Sequence, residues 1–161
     1  MYDGSREIFE RMRFIDASFT VPILPDGRIL LTLQEQPTRR PFISLPGGGF
    51  DFPEEDPLIC AKRELMEETG YESDDWDFWH TYEGTDNVIV FTHFYIAHDC
   101  TLVRDIHPDP GEKITLLTRS FDEFLLLSED PLFTHWTLLP HLFRARLHPE
   151  YSRELKKKFR L

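Results

Sequence analysis

The sequence predicts one domain of mixed α/β (α+β) class over residues 1–161, and two observations support this. Segments rich in β-branched and aromatic residues lie on both sides of one long helical segment, and further helical segments fill the C-terminal third. A chain of 161 residues can bury a core of its own, and no linker-like stretch divides it.

The first elements are two predicted strands, over residues 19–24 and 28–34. A Pro-Asp-Gly turn at residues 25–27 joins them, because proline presets its own φ and glycine accepts a positive φ. The two strands are therefore predicted to form a hairpin. After them, residues 36–41 are polar and contain prolines, which predicts a loop.

The longest helix is predicted to begin after Asp56 and to end near Thr69. Asp56 suits the N-cap, Pro57 suits the first helical position, and Gly70 suits the position after the C-terminus. Apolar residues recur within the segment at helical spacing, namely Leu58, Ala61 and Leu65. One face of this helix is therefore expected to pack against the core.

The second half of the chain begins with two predicted strands, over residues 87–97 and 114–118. A Ser-Phe-Asp-Glu capping box then opens a short helix over residues 120–127. An Asp-Pro pair at residues 130–131 predicts the start of another helix, and Pro140 is predicted to break or kink this helix. Residues 149–161 are predicted to form a last, basic helix.

Composition and charge narrow the function classes. The chain is 40% hydrophobic, and its net charge of −11 disfavours non-specific nucleic-acid binding, which depends on lysine and arginine contacts to phosphate. A phosphate-bearing ligand stays open, because a bound divalent cation reverses the field of an acidic site. The two cysteines, Cys60 and Cys100, show no zinc or disulfide spacing. Without a signal-like or membrane-spanning apolar run, the expected location is the cytoplasm.

Three glutamates in the long helix are the strongest chemical signal. Glu64, Glu67 and Glu68 are spaced i, i+3 and i+4, which places their carboxylates on one helix face. Such carboxylates repel one another unless a countercharge lies between them. Mg²⁺ is a suitable partner when waters and substrate phosphates complete its shell. A solvated acidic face is the alternative, and the flanking residues decide between the two.

Residues 49–71 resemble the Nudix box, G-x5-E-x7-R-E-U-x-E-E-x-G-U, in which U is aliphatic or aromatic. Every fixed position is matched, by Gly49, Glu55, Arg63, Glu64, Leu65, Glu67, Glu68, Gly70 and Tyr71. Chance agreement over so many positions in so short a segment is rare. The chain is therefore similar to Nudix hydrolases, whose fold is an α/β/α sandwich around a mixed β-sheet.

The resemblance implies a role for individual box residues. Glu64, Glu67 and Glu68 are implied metal ligands together with the carbonyl of Gly48, and Arg63 is implied to hold the carboxylates in place. The implied cofactor is Mg²⁺, with Mn²⁺ as a substitute. In the implied reaction, water attacks a diphosphate phosphorus while the metal polarises the phosphoryl oxygens.

The strand before the box is similar to that of ADP-ribose and nucleoside-diphosphate-sugar pyrophosphatases. That branch usually carries Gln-x-Arg there, whereas this chain has Gln36 in place of the arginine. Gln36, with Arg39 or Arg40 as the cation, is therefore expected to contact the substrate. A proline that the branch carries after the box is missing, since Asp86 and Asn87 occupy that place.

Two further candidates lie after the box. Residues 107–114 are similar to an acidic loop of the same branch, and Glu112 within it is the expected metal ligand or water-activating base; an ordinary turn acid is the alternative. Trp76 belongs to an aromatic cluster and is the candidate for stacking on a nucleobase. Packing in the core or in a dimer is the alternative for this cluster.

The leading functional prediction is Mg²⁺-dependent hydrolysis of the diphosphate linkage of ADP-ribose or a related nucleoside diphosphate sugar. The products would be a nucleoside monophosphate and a sugar phosphate. One alternative is a nucleoside triphosphate pyrophosphohydrolase, and another is a Nudix domain that senses a nucleotide without hydrolysing it. The expected partner is a nucleotide-type small molecule rather than nucleic acid or a membrane, and a homodimer is left open.

Overall fold

The computed structural model describes residues 4–106 and 111–161, so the first part of the predicted acidic loop, residues 107–110, lies outside the described residues. The strands are β1 (Met12–Arg13), β2 (Ala17–Pro22), β3 (Ile29–Gln36), β4 (Arg39–Ser44), β5 (Gly47–Gly49), β6 (Tyr71–Glu72), β7 (Asp75–Glu83), β8 (Val88–Ile89), β9 (Phe91–His98), β10 (Thr101–Leu102) and β11 (Lys113–Arg119). The helices are α1 (Pro57–Thr69), α2 (Phe121–Leu126), α3 (Leu139–Leu147) and α4 (Pro149–Lys158), with 3-10 turns at Leu127–Glu129 and Trp136–Leu138. The predicted mixed α/β class is confirmed.

Seven of the strands form a mixed sheet and an antiparallel sheet, and the short strands form two further pairs, β1 with β8 and β6 with β10. The first has the strand order β5-β2-β9-β7, in which β2 and β9 are parallel and the other neighbours are antiparallel. The second has the order β11-β3-β4 and is antiparallel throughout. The hairpin predicted for the first two strands is reduced to an isolated bridge between Ile23 and Ile29, because β2 and β3 pair within different sheets.

Helices cover both faces of these sheets. Alternate residues of β2 face opposite layers, as the period of a strand requires. The Thr20 hydroxyl lies 3.4 Å from the carbonyl oxygen of Ala61 in α1, whereas Val21 belongs to the apolar cluster that α2, α3 and α4 share with the strands. A second apolar cluster includes Leu65 of α1 and Leu30 of β3. The predicted α/β/α sandwich is therefore confirmed.

Helix α1 matches its prediction at both ends. The Asp56 carboxylate accepts hydrogen bonds from the amides of Leu58 and Ile59, at 2.8 and 3.2 Å. Gly70 ends the helix in the left-handed conformation, with φ of 73°. A Cβ at Gly70 would lie 2.0 Å from the carbonyl oxygen of Arg104. Backbone conformation and available space therefore both require glycine at this position.

The helix predicted from Asp130 is wrong. The Asp130 carboxylate accepts a hydrogen bond from the Leu132 amide at 2.9 Å, which makes a local turn. The Leu132 carbonyl then accepts from the Ile43 amide of β4 at 2.8 Å, so this backbone is committed to the edge of a sheet. Helix α3 begins later, with Pro140 in its first turn. This proline therefore helps to start a helix and does not break one.

Two of the longer strands, β4 and β7, were not predicted, and neither were the short strands β1, β5, β6 and β10. Strand β4 begins at Arg39, so the predicted loop over residues 36–41 shrinks to the turn between β3 and β4. Strand β7 holds the aromatic cluster after the box. Its side chains are partly exposed on both faces, and a bulge between Phe78 and His80 interrupts the alternation. No clean two-residue period therefore marks β7 in the sequence.

The structure also bears on the state of the cysteines and on membrane-spanning helices. Both cysteines are free and buried. Within residues 4–106 and 111–161, no helix is long and apolar enough to cross a membrane. That residues 1–161 form a single domain stays a prediction.

Candidate active site

A cleft of about 640 Å³ opens where β5, helix α1 and the β3–β4 pair meet. Part of its lining, the acidic wall, is formed by Glu64, Glu67, Glu68 and Glu112. Another part, the aromatic wall, is formed by Tyr82 and Trp136. The same cleft therefore joins carboxylates from the predicted box to rings from distant parts of the chain.

Glu68 is the most deeply buried of the three helix glutamates. Its two oxygens accept hydrogen bonds from Nε2 of Gln34 at 2.7 Å and from the amide of Gly47 at 3.0 Å. Burial, together with the charges of Glu64 and Glu112, raises the pKa of Glu68 to about 8 in spite of these hydrogen bonds. The protein alone therefore lacks a sufficient countercharge at this carboxylate.

Glu64 lies one turn earlier on α1 and packs against the glycine strand β5. A Cβ built on Gly48 would fall 2.6 Å from Oε1 of Glu64, which only glycine avoids. The Glu64 carboxylate accepts a hydrogen bond from Nη1 of Arg63 at 2.7 Å. Burial raises the pKa of Glu64, although Arg63 opposes the shift. The glycine backbone and this carboxylate therefore meet with no side chain between them.

Arg63 links the box loop to the helix. Its guanidinium nitrogens lie 3.2 Å from Oε2 of Glu67 and 3.4 Å from Oε1 of Glu55. Nη2 also donates to the carbonyl of Gly49 at 3.1 Å. Glu55 is buried and accepts a hydrogen bond from the Asp51 amide at 2.8 Å. This is the geometry that the predicted bracing role of Arg63 requires.

Of the other predicted site residues, three line the cleft and two do not. Glu112 and Gln36 both line the cleft, where Nε2 of Gln36 donates to Oε1 of Glu112 at 2.7 Å. Arg39 lines it as well, with its guanidinium carbon 3.8 Å from the centroid of the Phe42 ring. Arg40 is exposed and is not among the lining residues, so of the two candidate arginines it is Arg39 that lines the cleft, and its cationic role stays a prediction.

Trp76 also lies outside the cleft. Its indole nitrogen donates to the carbonyl of Ser73 at 2.7 Å, and Nζ of Lys62 in α1 lies 5.7 Å from its ring centroid. The rings of the aromatic wall, Tyr82 of β7 and Trp136 of the second 3-10 turn, meet edge to face at 5.1 Å. Both lie in aromatic-rich segments of the sequence, but only the fold shows which rings share the cleft.

His135 is a cleft residue that the sequence did not single out. It is buried, and its Nε2 accepts a hydrogen bond from the Leu45 amide at 3.0 Å. Oγ of Ser44 lies 2.9 Å from the same nitrogen. Burial lowers the pKa of His135 to about 3, so its ring is neutral near pH 7. The histidines are scattered in the sequence, and no spacing distinguishes this one.

The acidic wall fits a divalent cation that takes part of its shell from outside the protein. Among the described residues, no three His, Cys, Asp or Glu side chains form a ready cage. The donors of the predicted ligand set are the carboxylates of Glu64 and Glu68, which line the cleft, and the carbonyl of Gly48, which lies 3.7 Å from Sγ of Cys60; all of them are oxygens. Gly48 also leaves open the space that a Cβ would fill against Glu64. Such a partial set of hard donors suits Mg²⁺ with its waters and substrate oxygens.

A set of acidic oxygen donors on one helix, beside a glycine strand in an α/β/α sandwich, fits a hydrolase that uses a divalent cation. The sequence profile of the NUDIX domain family matches residues 15–142. The chain belongs to the Nudix family, and its members generally use divalent metal cations.

Solved structures share this fold. A crystal structure of an ADP compounds hydrolase is 25% identical, with a TM-score of 0.73 and a match that covers 97% of this chain and 81% of that chain. A structure of MutT from Aliivibrio salmonicida and Vibrio cholerae is 15% identical, with a TM-score of 0.58 and coverage of 81% and 97%. A NUDIX hydrolase from Nitrosomonas europaea is 17% identical, with a TM-score of 0.62 and coverage of 81% and 86%. The last two structures are evidence for the fold alone. A comparison with curated protein sequences found no match.

Proposed function

We propose that the protein hydrolyses the diphosphate linkage of ADP-ribose or a related nucleoside diphosphate sugar, with Mg²⁺ as cofactor. The products are a nucleoside monophosphate and a sugar phosphate. The observation that carries this proposal is a single cleft that joins the acidic wall to the aromatic wall. The likeness to an ADP compounds hydrolase over 97% of the chain supports the choice of an ADP-type substrate.

Glu64, Glu68 and the Gly48 carbonyl are the proposed ligands of Mg²⁺, and Glu67 and Glu112 complete the negative field around it. When bound, the cation neutralises diphosphate charge and lowers the pKa of a bound water. Arg63 keeps Glu64 in place through the 2.7 Å contact and ties it to the box loop. The protein thus presents a fixed set of oxygens to the cation without forming a closed cage.

Glu112 is the proposed residue that takes the proton from the attacking water. Gln36 donates to Oε1 at 2.7 Å, and among the described residues no donor reaches Oε2. One oxygen therefore orients the carboxylate while the other stays available to a water molecule. In this arrangement Gln36 acts on Glu112, in addition to the substrate contact expected from its place in the sequence.

The aromatic wall is the proposed base site. Trp136 is 64% exposed, so a face of its indole is free to stack on a nucleobase, while Tyr82 meets it edge-on. Arg39, fixed over Phe42, supplies the positive charge that a diphosphate needs at the rim.

A substrate panel with product identification tests the proposal. The panel contains ADP-ribose, nucleotide sugars, NADH, dinucleoside polyphosphates and nucleoside triphosphates, each with Mg²⁺. We expect the highest kcat/KM for an ADP-linked sugar, with AMP and a sugar phosphate as products. Pyrophosphate release from a triphosphate as the best reaction would favour the triphosphate alternative. No turnover of any compound would contradict an enzymatic role and favour a sensor.

A further inference from the structure

His135 occupies an apolar pocket beside the aromatic wall. Its ring lies edge to face against Phe19 and Phe94, with centroids 4.4 and 5.8 Å away, and tilted against Phe133 at 5.5 Å. It lines the cleft and immediately precedes Trp136 in the chain. The proposed hydrolysis uses neither nitrogen of this buried imidazole, although the ring adjoins the proposed base site.

The contacts fix the tautomer of this ring. Nε2 accepts the amide hydrogen of Leu45, so it carries no hydrogen of its own. The ring is neutral near pH 7 because burial depresses its pKa. A neutral imidazole has one ring hydrogen, which must therefore lie on Nδ1. His135 is thus a fixed donor at Nδ1.

The Nδ1 donor has no acceptor in the described part of the protein, yet it is not sealed inside the core. Among the described residues, Oγ of Ser18 is the only buried side-chain nitrogen or oxygen without a hydrogen-bond partner. Nδ1 of His135 therefore keeps a small contact with solvent, although the residue as a whole is only 7% exposed, and the cleft is the space that this residue lines. The cleft therefore contains an N–H group that awaits an acceptor.

We propose that His135 is a specificity-determining residue, whose Nδ1–H donates a hydrogen bond to an unprotonated ring nitrogen of the purine base stacked on Trp136. This inference rests on the proposed function. The base is the favoured acceptor because His135 adjoins the aromatic wall and its pocket is apolar, whereas the diphosphate belongs at the acidic wall. A neutral donor also matches a neutral ring nitrogen better than it matches a phosphate.

The chemical consequence is discrimination between bases. A purine without an acceptor at this point leaves the Nδ1–H unpaired in a poorly solvated place, which lowers kcat/KM by about 5- to 100-fold. The loss appears mainly in KM, because the contact is made equally in the bound substrate and in the transition state.

The test compares ADP-ribose with its 1-deaza, 3-deaza and 7-deaza analogues, each of which replaces one ring nitrogen by C–H. We expect the wild-type protein to show the loss for one analogue and near-parent kcat/KM for the other two. Calorimetric binding of AMP and the matching deaza-AMP compounds to the metal-free protein measures the same contact without turnover. Equal values for all the analogues in both measurements would overturn the inference.

Two variants separate the base contact from a structural role. In His135→Gln, the amide oxygen can still accept the Leu45 hydrogen bond, but the donor at the Nδ1 position is lost. In His135→Asn, the amide nitrogen lies near the Nδ1 position, but the distal acceptor is lost. We expect His135→Gln to abolish the difference between parent and sensitive analogue, and His135→Asn to retain it.

The outcomes distinguish this inference from the proposed function. A merely structural histidine would change parent and analogue by the same factor, and an unchanged ratio in His135→Gln would refute the base contact. Absence of turnover of every parent compound would refute the proposed function, and the binding series would still decide the role of His135. If the variants fail to fold, the wild-type analogue series decides alone.

Discussion

Replacing Glu68 by glutamine should abolish metal-dependent turnover and yet stabilise the metal-free protein. The carboxylate is buried, and its pKa of about 8 lies well above its ordinary value of 4.5. Between these values the folded protein holds a proton that the unfolded chain has released. The stability of the metal-free wild-type protein therefore falls as the pH rises from 4.5 to 8, and a neutral side chain removes that loss.

The size of the effect follows from the same difference. Above pH 8, the raised pKa of Glu68 lowers the free energy of unfolding of the metal-free wild-type protein by at most about 5 kcal/mol. Each tenfold change in proton affinity contributes about 1.4 kcal/mol to this limit. Glutamine has a single acceptor oxygen where Glu68 accepts from both Gln34 and Gly47. Losing or rearranging one of these hydrogen bonds costs about 1 kcal/mol. We expect a net gain of about 2–4 kcal/mol at about pH 9 and no gain at about pH 4.

Denaturant unfolding at both pH values, with EDTA present, measures this gain. Glu67→Gln is the matched control, because Glu67 is on the same helix face but half exposed, and its substitution should leave stability nearly unchanged. A gain of equal size at both pH values, or a loss at about pH 9, would refute the argument that buried charge at Glu68 opposes folding. Mg²⁺ should stabilise the wild-type protein and have much less effect on the Glu68→Gln variant.

Three other substitutions test the site and the fold. Glu64→Gln should lower kcat by more than about 100-fold with little effect on the melting temperature, since even the outer-shell partners of metal ligands contribute 10- to 100-fold to activity or metal affinity. A kcat near the wild-type value would exclude Glu64 as a ligand. Gly48→Ala should lower kcat/KM by about 100-fold, because its Cβ would lie 2.6 Å from Oε1 of Glu64 and displace that carboxylate; unaltered kinetics would contradict the close packing. Gly70→Ala should cost at least about 2 kcal/mol in urea unfolding, because left-handed backbone strain adds to the clash with Arg104. Gly111→Ala, with a similar positive φ but no atom of a described residue within 4 Å of the added Cβ, should cost less, and equal costs would rule out the clash.

The parts of the molecule that could be predicted from the sequence are those governed by local rules. Helix α1 was predicted at both ends because Asp56, Pro57 and Gly70 act on backbone groups within a few residues. The shared face of Glu64 and Glu68 follows from helical spacing alone. The turn between β2 and β3 also follows from its own residues, although the predicted hairpin shrinks to one bridge because the two strands join different sheets. These features do not require knowledge of the rest of the chain.

The remaining features depend on contacts between distant residues. Gln34 and Gly47, which hold Glu68, lie far from it in the sequence, and no pattern within the box indicates them. The segment after Asp130 has good helix-starting residues, yet it is pulled to the edge of β4 by pairing with Ile43. Tertiary hydrogen bonds therefore override local propensity at this point.

The same division separates the reaction from the substrate. The acidic wall is built almost entirely from one short segment, so its chemistry can be inferred from the box. The aromatic wall combines Tyr82 of β7 with Trp136, which lies in a 3-10 turn within a segment that was predicted as a longer helix. His135 lies beside this wall because its Nε2 accepts a hydrogen bond from the Leu45 amide. These residues can change without altering the box. Substrate preference must therefore be argued from the folded cleft, whereas hydrolysis can be argued from a contiguous motif.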